Sequence, residues 1–318
     1  MSTPRNVLVT GGAGFIGSHV VDAYARAGSD VTVIDDLSSG KREHLPDSAN
    51  LVVCDICSEE AKELIASGDF DVVNHHAAQM DVRVSVNDPG LDATINIMGL
   101  LNLLEGAREG GVERIVFASS GGVVYGESND LPHPESAPKL PVSPYGVSKL
   151  TSEYYLCAYM HMYGLKAVSL RYSNVYGPRQ NPHGEAGVVA IFGNQIRKGE
   201  AVTIYGDGSQ TRDYVFVGDV ARANLLASEW DPGTASSLDA AAFNIGTGVE
   251  TSVTALADSM IEGSGKDIAV VHVPARTGEL LRNAVDGAKA ERELAWSPEI
   301  SLEGGLRQTY SWVMEMAG

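Results

Sequence analysis

The chain has 318 residues, enough for one large domain or two interlocked ones with an ample core. Hydrophobic residues make up 44% and charged residues 20% of it, which is ordinary for a globular protein. The net charge of −18 argues against general attraction to nucleic acid or to an anionic membrane surface, so a phosphate-bearing ligand needs basic side chains gathered locally.

The first half of the chain alternates short apolar runs with helical patterns. Strands are predicted at 6–10, 30–34, 51–54, 70–74 and 114–118, with helices at 15–27, 59–66 and 91–108. Apolar strands separated by helices are typical of parallel strands that are buried on both faces. With right-handed crossovers, this order predicts an α/β fold built on a doubly wound parallel sheet of Rossmann type.

The second half begins with a predicted long helix at 145–163 and a strand at 166–172. Beyond them the pattern is looser, and helices are predicted near 188–198, 219–229, 253–263 and 287–294. We expect this part to form a smaller α/β lobe that is interleaved with the sheet. The predicted cofactor domain is 1–175 with returning segments near 213–247, and the predicted substrate lobe is 176–212 and 248–318.

The cysteines and the apolar runs bear on metal binding and location. Cys54 and Cys57 have the spacing of a redox or zinc pair, but no second pair or histidine cluster accompanies them, so we expect core thiols and no metal. No run approaches the roughly 18 apolar residues of a membrane helix. Because Met1 to Arg5 leads directly into a strand, without the apolar region of a signal peptide, we expect a cytoplasmic protein.

Gly11, Gly14 and Gly17 lie between the first strand and the first helix. A turn of this kind brings backbone N–H groups and a helix N-terminus against a pyrophosphate, although glycines also occur in ordinary turns. The second strand is followed by Asp35, at the position where a carboxylate binds the adenine ribose of a dinucleotide. Such a carboxylate repels the extra phosphate of NADP, so the predicted cofactor is NAD. Lys41 and Arg42 are interpreted as surface charges.

Residues at the ends of later strands extend the predicted cofactor site. Asp55 and Ile56 could flank the adenine, and Ala77 and Ala78 are small enough to let a cofactor lie over the strand ends. Each of them could be an ordinary turn or core residue. Taken together they favour a cofactor.

Tyr145 and Lys149 lie one helical turn apart at the start of a predicted helix. A phenol titrates near ~10, and a neighbouring cation stabilises its anion. Lowering that pKa by ~3 units takes about 4 kcal/mol, which a lysine and a nicotinamide ring in a partly dry site can supply. A tyrosine and a lysine often share a helix face by chance, but this pair follows a proline-rich loop after a strand that ends in Ser119 and Ser120. The pair predicts proton transfer on an alcohol or sugar hydroxyl.

The chain resembles the extended short-chain dehydrogenase/reductase superfamily, and within it the UDP-sugar 4-epimerases of the UDP-glucose and UDP-N-acetylglucosamine type. The resemblance spans nearly the whole length and rests on motifs that occur in the same order. They are TGGAGFIG at 10–17, HAAQ at 76–79, SSGGVVYGE at 119–127, SPYGVSK at 143–149, RYSNVYGPR at 171–179, RDYV at 212–215, NIG at 244–246, RTGE at 276–279 and LAWSP at 294–298.

The resemblance implies roles for particular residues. Tyr145 would be the acid/base, Lys149 would lower its pKa and hold the nicotinamide ribose, and Tyr172 would lie by the nicotinamide. The expected cofactor contacts are Gly11, Gly14, Phe15, Ile16, Gly17, Asp35, Asp55, Ile56, Ala77, Ala78, Gln79, Asn96, Ser119, Tyr145, Lys149 and Tyr172.

The implied substrate contacts surround a nucleoside diphosphate sugar. Asn174, Arg212 and Arg276 would bind the diphosphate, and Tyr205 would lie near the uracil. In a chain this acidic, phosphate needs such local guanidinium partners, whereas Arg83, Arg179 and Arg282 are more readily interpreted as surface or ion-paired residues. The full expected set is Ser120, Tyr145, Asn174, Val188, Tyr205, Arg212, Arg276, Glu279 and Asn283.

The chain departs from the family pattern beside the VYG segment. Many relatives carry Ser or Thr four residues before the tyrosine of that segment, where this chain has Gly121. We expect Ser120 to provide the hydroxyl instead. Asn283 aligns with the residue that gates the sugar 2-substituent in the family, and it is smaller than the tyrosine of strict glucose-type enzymes. We therefore expect a site that accepts N-acetylated and plain sugars.

The predicted function is NAD-dependent 4-epimerisation of UDP-hexoses through a transient 4-keto sugar. The resemblance also implies a homodimer formed through the helices near 91–108 and 145–163. Two alternatives stay open: a nucleotide-sugar dehydratase or decarboxylase of the same superfamily, and a non-catalytic NAD-sensing protein. Dehydratases carry Asp-Glu just before VYG, which this chain lacks, and NAD sensors tend to lose the Tyr/Lys pair, which it keeps.

Overall fold

Seven parallel strands form the central sheet of the protein. The computed structural model describes residues 4–182, 187–231, 233, 237–275 and 280–315. Within them the strands, β1 to β12 in chain order, are Asn6–Thr10, Asp30–Asp35, Asn50–Val53, Val72–His75, Arg114–Ser120, Lys166–Tyr172, Asn174–Tyr176, Val202–Tyr205, Thr211–Phe216, Ala242–Ile245, Glu250–Ser252 and Val270–Val273. The helices, α1 to α11, are Phe15–Arg26, Glu59–Ser67, Val82–Asn87, Pro89–Ala93, Gly99–Gly110, Pro144–Tyr163, Val188–Lys198, Val217–Glu229, Val253–Ser264, Ala288–Leu294 and Leu302–Glu315.

The strand order of the central sheet is β10-β6-β5-β4-β1-β2-β3, and every neighbouring pair is parallel. The chain builds outward from β1 first through β2 and β3, and then on the other side through β4, β5 and β6. Parallel sheets of this kind bind ligands at the carboxyl ends of the strands where the order reverses. The predicted doubly wound Rossmann fold is confirmed.

Helices cover both faces of the sheet. On one face α1 packs against α8, and their apolar side chains form a core with the strands; on the other face α2, α5 and α6 do the same. The strands are apolar on both sides because neither face meets water. Leu294 and Trp296, which the sequence pattern assigns to the substrate lobe, lie in the first of these cores.

A smaller unit surrounds a third core. It contains a three-stranded sheet of order β11-β9-β7, a parallel pair of β8 and β12, and helices α7, α9 and α11. The strands of the two small sheets are three to six residues long, too short for an alternating pattern to be recognised in the sequence. Helix α11 was also not predicted, since its buried positions include Gly305 and Thr309, which weaken its apolar stripe.

The predicted helix at 91–108 lies within a helical run from Pro89 to Gly110 that contains a π-helical stretch. Helix α4 begins at Pro89 with the Asp88 side chain as its cap, a π-helical stretch spans Thr94–Met98, and α5 continues from Gly99. Stretches of π-helix inside helices occur frequently at functional sites. Here the stretch places Asn96 beside the cleft described below.

Candidate active site

An open cleft of about 320 Å³ lies at the carboxyl ends of the central strands. Every expected cofactor contact except Asn96 lines it. The residues come from seven separate stretches of the chain, so the fold brings together what the sequence shows only as scattered motifs.

The glycine-rich turn leaves no room for side chains. A Cβ on Gly17 would lie 2.1 Å from the carbonyl oxygen of Gly11, and a Cβ on Gly11 would lie 2.5 Å from the backbone nitrogen of Ala77. Gly11 also has a φ of +65°, which favours glycine. Gly14 precedes α1, and no side chain of the described residues caps that helix end. Its first N–H groups can therefore donate to a bound anion, as a dinucleotide pyrophosphate requires.

Asp35 ends β2 at the edge of the cleft. Its carboxylate accepts hydrogen bonds from the backbone N–H groups of Ala13 and Leu37, both at 2.9 Å. Burial raises the pKa of this carboxyl, and the two N–H donors oppose that shift. The carboxylate is thus fixed beside the glycine-rich turn, where it fits the ribose hydroxyls of NAD and opposes a 2′-phosphate.

Tyr145 and Lys149 lie on the first turns of α6. The Ser143 side chain caps this helix by accepting from the N–H of Gly146 at 3.2 Å. The Lys149 ammonium is buried, donates to the carbonyl of Ala118 at 2.8 Å, and lies 5.8 Å from the centre of the Tyr145 ring. Burial lowers its pKa to about 8, against the opposing carboxylates of Asp92 and Glu153. A mostly charged ammonium therefore faces the phenol at neutral pH.

A buried polar network lies behind Lys149, and the sequence did not reveal it. The Ser119 hydroxyl donates to Glu153. The same carboxylate accepts three bonds from Arg171, from Nε to Oε1 at 3.0 Å and to Oε2 at 3.2 Å, and from Nη2 to Oε2 at 2.6 Å. Arg171 further donates to the Tyr125 hydroxyl at 3.0 Å, and that hydroxyl donates to Asn244 at 2.6 Å. Since Arg171 is 0% exposed, this network fixes α6 against β5 and β6.

A second network is centred on the Asp92 carboxylate. It accepts from Ser148 on α6 at 2.6 Å, from Gln79 at 2.9 Å and from Asn96 at 3.0 Å. The Asn96 amide also bonds both backbone groups of Gln79. Asn96 thus supports a residue of the cleft wall, and its direct contact with a cofactor stays a prediction.

His76 lines the cleft, although the sequence indicated it only as part of the HAAQ motif at 76–79. Its ring stacks on Tyr172 with centroids 6.2 Å apart, and its Nε2 is buried without a hydrogen-bond partner among the described residues. Burial, with a smaller effect from the Lys149 charge, lowers its pKa to about 3. The only sign of this role in the sequence is that a second histidine directly follows His75, the last residue of β4. A neutral imidazole whose nitrogen lacks a partner in the cleft wall indicates that a bound ligand supplies the missing hydrogen bond.

Steric crowding explains why Gly121 stands where the chain departs from the family pattern. A Cβ on Gly121 would lie 2.7 Å from Val285 and 3.1 Å from the carbonyl oxygen of Arg171, so a serine does not fit there. The Ser120 hydroxyl oxygen and the Asn174 amide oxygen both lie near the next residue, at 3.6 Å and 4.0 Å from the Cβ position of Gly122. Asn283 is buried on the Gly121 side and donates to that residue's carbonyl at 3.2 Å.

The remaining expected substrate residues lie on the smaller unit. Val188 begins α7, Tyr205 ends β8 with a partly exposed side chain, and Arg212 on β9 donates to the carbonyl of Thr211 at 2.8 Å. Arg276 and Glu279 lie outside the described residues.

Several side chains have no catalytic partner in the cleft. Arg83, Arg179 and Arg282 form ion pairs with Asp81, Asp22 and Glu250. The three cysteines are free thiols. Within the described ranges we find no cluster of metal-binding side chains and no helix with the length and apolar character to cross a bilayer.

Comparison with known proteins gives consistent matches over nearly the whole chain. The sequence pattern of the NAD dependent epimerase/dehydratase family matches residues 7–246. The putative UDP-glucose 4-epimerase of Methanocaldococcus jannaschii is 46% identical, over 96% of this chain and 98% of the relative. The structure of a Thermotoga maritima UDP-glucose 4-epimerase with UDP-glucose has a TM-score of 0.94 and 46% identity, covering 99% of this chain and 100% of the other. That of a Thermus thermophilus UDP-glucose 4-epimerase with NAD has a TM-score of 0.89 and 44% identity, covering 97% and 99%.

Proposed function

The chain belongs to the NAD dependent epimerase/dehydratase family, and on that premise we propose that it is an NAD-dependent 4-epimerase of UDP-hexoses. One observation carries the proposal. Tyr145 and Lys149 lie in the same cleft as the glycine-rich turn and Asp35, so a proton-transfer pair and a dinucleotide site share one space.

The cofactor site fits NAD in its shape and in its charge. The turn of Gly11, Gly14 and Gly17 with the N-terminus of α1 suits the pyrophosphate, and Asp35 suits the adenine ribose. NAD held there would supply the acceptor for hydride from carbon 4 of the sugar and the donor for its return, so the overall reaction would consume no oxidant.

The proton steps fall to residues of this chain. Tyr145 as phenolate accepts the proton of the sugar 4-hydroxyl, and the Lys149 ammonium stabilises that anion. Ser120, as the hydroxyl nearest to the excluded position at Gly121, is proposed to orient the same oxygen. When the 4-keto sugar has presented its other face, Tyr145 returns the proton and the centre is inverted.

The substrate contacts follow from this arrangement. Asn174, Arg212 and Arg276 are proposed to hold the diphosphate, with Tyr205 at the uracil and Val188 and Glu279 completing the site. A firm hold on the diphosphate with few contacts to the hexose lets the keto sugar turn. The proposed division of labour is a cofactor domain of 1–175 with returning segments near 213–247, and a substrate lobe of 176–212 and 248–318.

A dehydratase needs an additional acid and base beside the sugar. The corresponding segment here is Gly121-Gly122-Val123, and Gly121 cannot carry a side chain without displacing Val285. An NAD-sensing role does not require a buried lysine beside a phenol. Both alternatives are less well supported than the epimerase.

The test is turnover on four sugars: UDP-glucose, UDP-galactose, UDP-N-acetylglucosamine and UDP-N-acetylgalactosamine. We expect interconversion within both pairs, because Asn283 leaves more room at the sugar 2-position than a tyrosine. Separation of the nucleotide sugars by chromatography measures it. Inactivity on both N-acetylated sugars would contradict the proposed broad specificity. A stable keto or deoxy product would favour the dehydratase.

We also propose a homodimer, formed through α6 and the region preceding α5. Large apolar side chains are exposed there, a feature that marks protein contact surfaces. They are Met98, Val147, Tyr154, Tyr155, Met162 and Tyr163. We place the enzyme in the cytoplasm, which suits its free thiols.

Sedimentation of the purified protein should give twice the 33.6 kDa chain mass. Tyr154→Arg should shift it toward the single-chain mass, since a charge in an apolar interface lacks a partner. Leu281→Arg, at an exposed residue of the other lobe, is the control and should stay dimeric. A monomeric wild-type protein would refute the interface.

A further inference from the structure

A second cavity, of about 410 Å³, adjoins the cofactor cleft. It lies between the loop that follows β2, the segment after β7, and helices α7 and α11. Phe15 and Gln79 line both spaces, so an occupant of this cavity would lie next to a bound cofactor. None of the proposed substrate residues that the structure describes lines it.

Basic side chains surround this cavity, which we call the cationic cavity after Lys41, Arg179 and Arg197 in its wall. Its only acidic residue among those described is Asp81, which is already engaged by both Nε and Nη2 of Arg83. In a chain of net charge −18, three cations around one cavity are a local exception. Such an arrangement attracts anions into the cavity.

These cations have donors to spare. Arg197 donates to Asn194 at 3.0 Å and forms no ion pair with any described residue. Lys41 has only a 3.9 Å contact with Glu43. Arg179 pairs with Asp22 through Nη2, while its Nη1 is buried without a hydrogen-bond partner among the described residues. An unpaired buried guanidinium nitrogen is costly, and an anionic ligand would satisfy it.

Arg179 is also held in an unusual backbone conformation. Its φ of +69° lies in the left-handed region, which residues other than glycine rarely adopt. Backbone strain of this kind persists where the surroundings impose it, and it clusters at ligand sites. In this case it aims the guanidinium between α1 and the cavity.

The rest of the wall suits an aromatic group. Phe15, Trp312 and Val313 supply apolar surface in the same wall. Guanidinium and ammonium groups are the usual partners of phosphate, and aromatic rings pack on bases. We propose that the cationic cavity binds a phosphate-bearing nucleotide beside the cofactor, at a site separate from that of the UDP-sugar.

Calorimetric titration of the NAD-bound enzyme with GTP tests this, with no free NAD or UDP added, because both are phosphate-bearing nucleotides that would compete for the cavity. We expect one saturable GTP site per chain, which weakens as salt is raised. Lys41→Gln and Arg197→Gln should each weaken GTP binding about tenfold, since each removes a charge-assisted contact. Arg292→Gln, at an exposed residue of α10, should leave it unchanged.

Two outcomes would overturn the proposal. One is the absence of saturable GTP binding, or binding that neither variant weakens. The other is that the two variants weaken NAD binding while GTP does not bind, which would assign these cations to the cofactor itself. The titration measures nucleotide affinity and not turnover. A negative result would therefore contradict the nucleotide site without contradicting the proposed epimerase activity.

Discussion

Tyr145→Phe lowers epimerisation of UDP-galactose about a thousandfold, within the 10²–10⁴ range of general acid–base catalysis. The variant keeps the ring of Tyr145 next to the Lys149 ammonium and removes only the oxygen that carries the proton. The fold and NAD binding should therefore be unchanged. The measurement is kcat on UDP-galactose, with the NAD content of the purified variant determined separately.

Tyr154→Phe is the matched control for this experiment. It removes the same oxygen from a tyrosine of the same helix that lies outside the cleft, and it keeps the apolar ring that this residue contributes to the proposed dimer interface. We expect wild-type kcat from it. If Tyr145→Phe turned over at the wild-type rate with a full complement of NAD, the assigned acid/base would be wrong.

Arg171→Met destabilises the protein by about 3–5 kcal/mol, the usual cost of removing one partner of a buried ion pair. The change leaves the Glu153 carboxylate buried without its guanidinium contacts, and it also removes the donor to Tyr125. The free energy of unfolding from urea denaturation measures the effect, at a pH where carboxylates are ionised.

The double variant Arg171→Met with Glu153→Leu separates charge burial from lost packing. Since it removes the uncompensated carboxylate, it should recover part of the stability lost by Arg171→Met alone. Arg292→Met changes the same residue type at an exposed position and should stay within about 0.5 kcal/mol of wild type. A loss below 1 kcal/mol in Arg171→Met would show that the network contributes little to the fold.

Six of the seven strands of the central sheet, and the cofactor cleft, could be predicted because their signals are local; no strand was predicted at β10. Strands β1 to β6 are apolar runs, Gly11 to Gly17 form one continuous segment, and Tyr145 and Lys149 share one helix. Each of these patterns lies within a short segment, and the physical reason that links it to a structure does not depend on distant parts of the chain. The cleft therefore contains every expected cofactor contact except Asn96.

What the sequence did not reveal depends on partners far apart in the chain. Glu153 and Arg171 each read as ordinary charged residues, and only the fold makes them one buried pair. The two hydrogen bonds by which Asn96, in the π-helical stretch, supports Gln79 also follow from no local pattern. The steric exclusion at Gly121 comes from Val285, which no local pattern places nearby.

The Asp92 carboxylate has a consequence for how such sequences can diverge. One side chain holds the cleft wall through Gln79 and the helix of the proposed acid/base through Ser148. Substitution of Asp92 would remove the acceptor that both residues share, and substitution of Gln79 or Ser148 would leave the buried Asp92 carboxylate with one donor fewer. Over evolutionary time these positions should therefore be inherited or exchanged as a block, linking the history of the dinucleotide pocket to that of the proton-transfer apparatus.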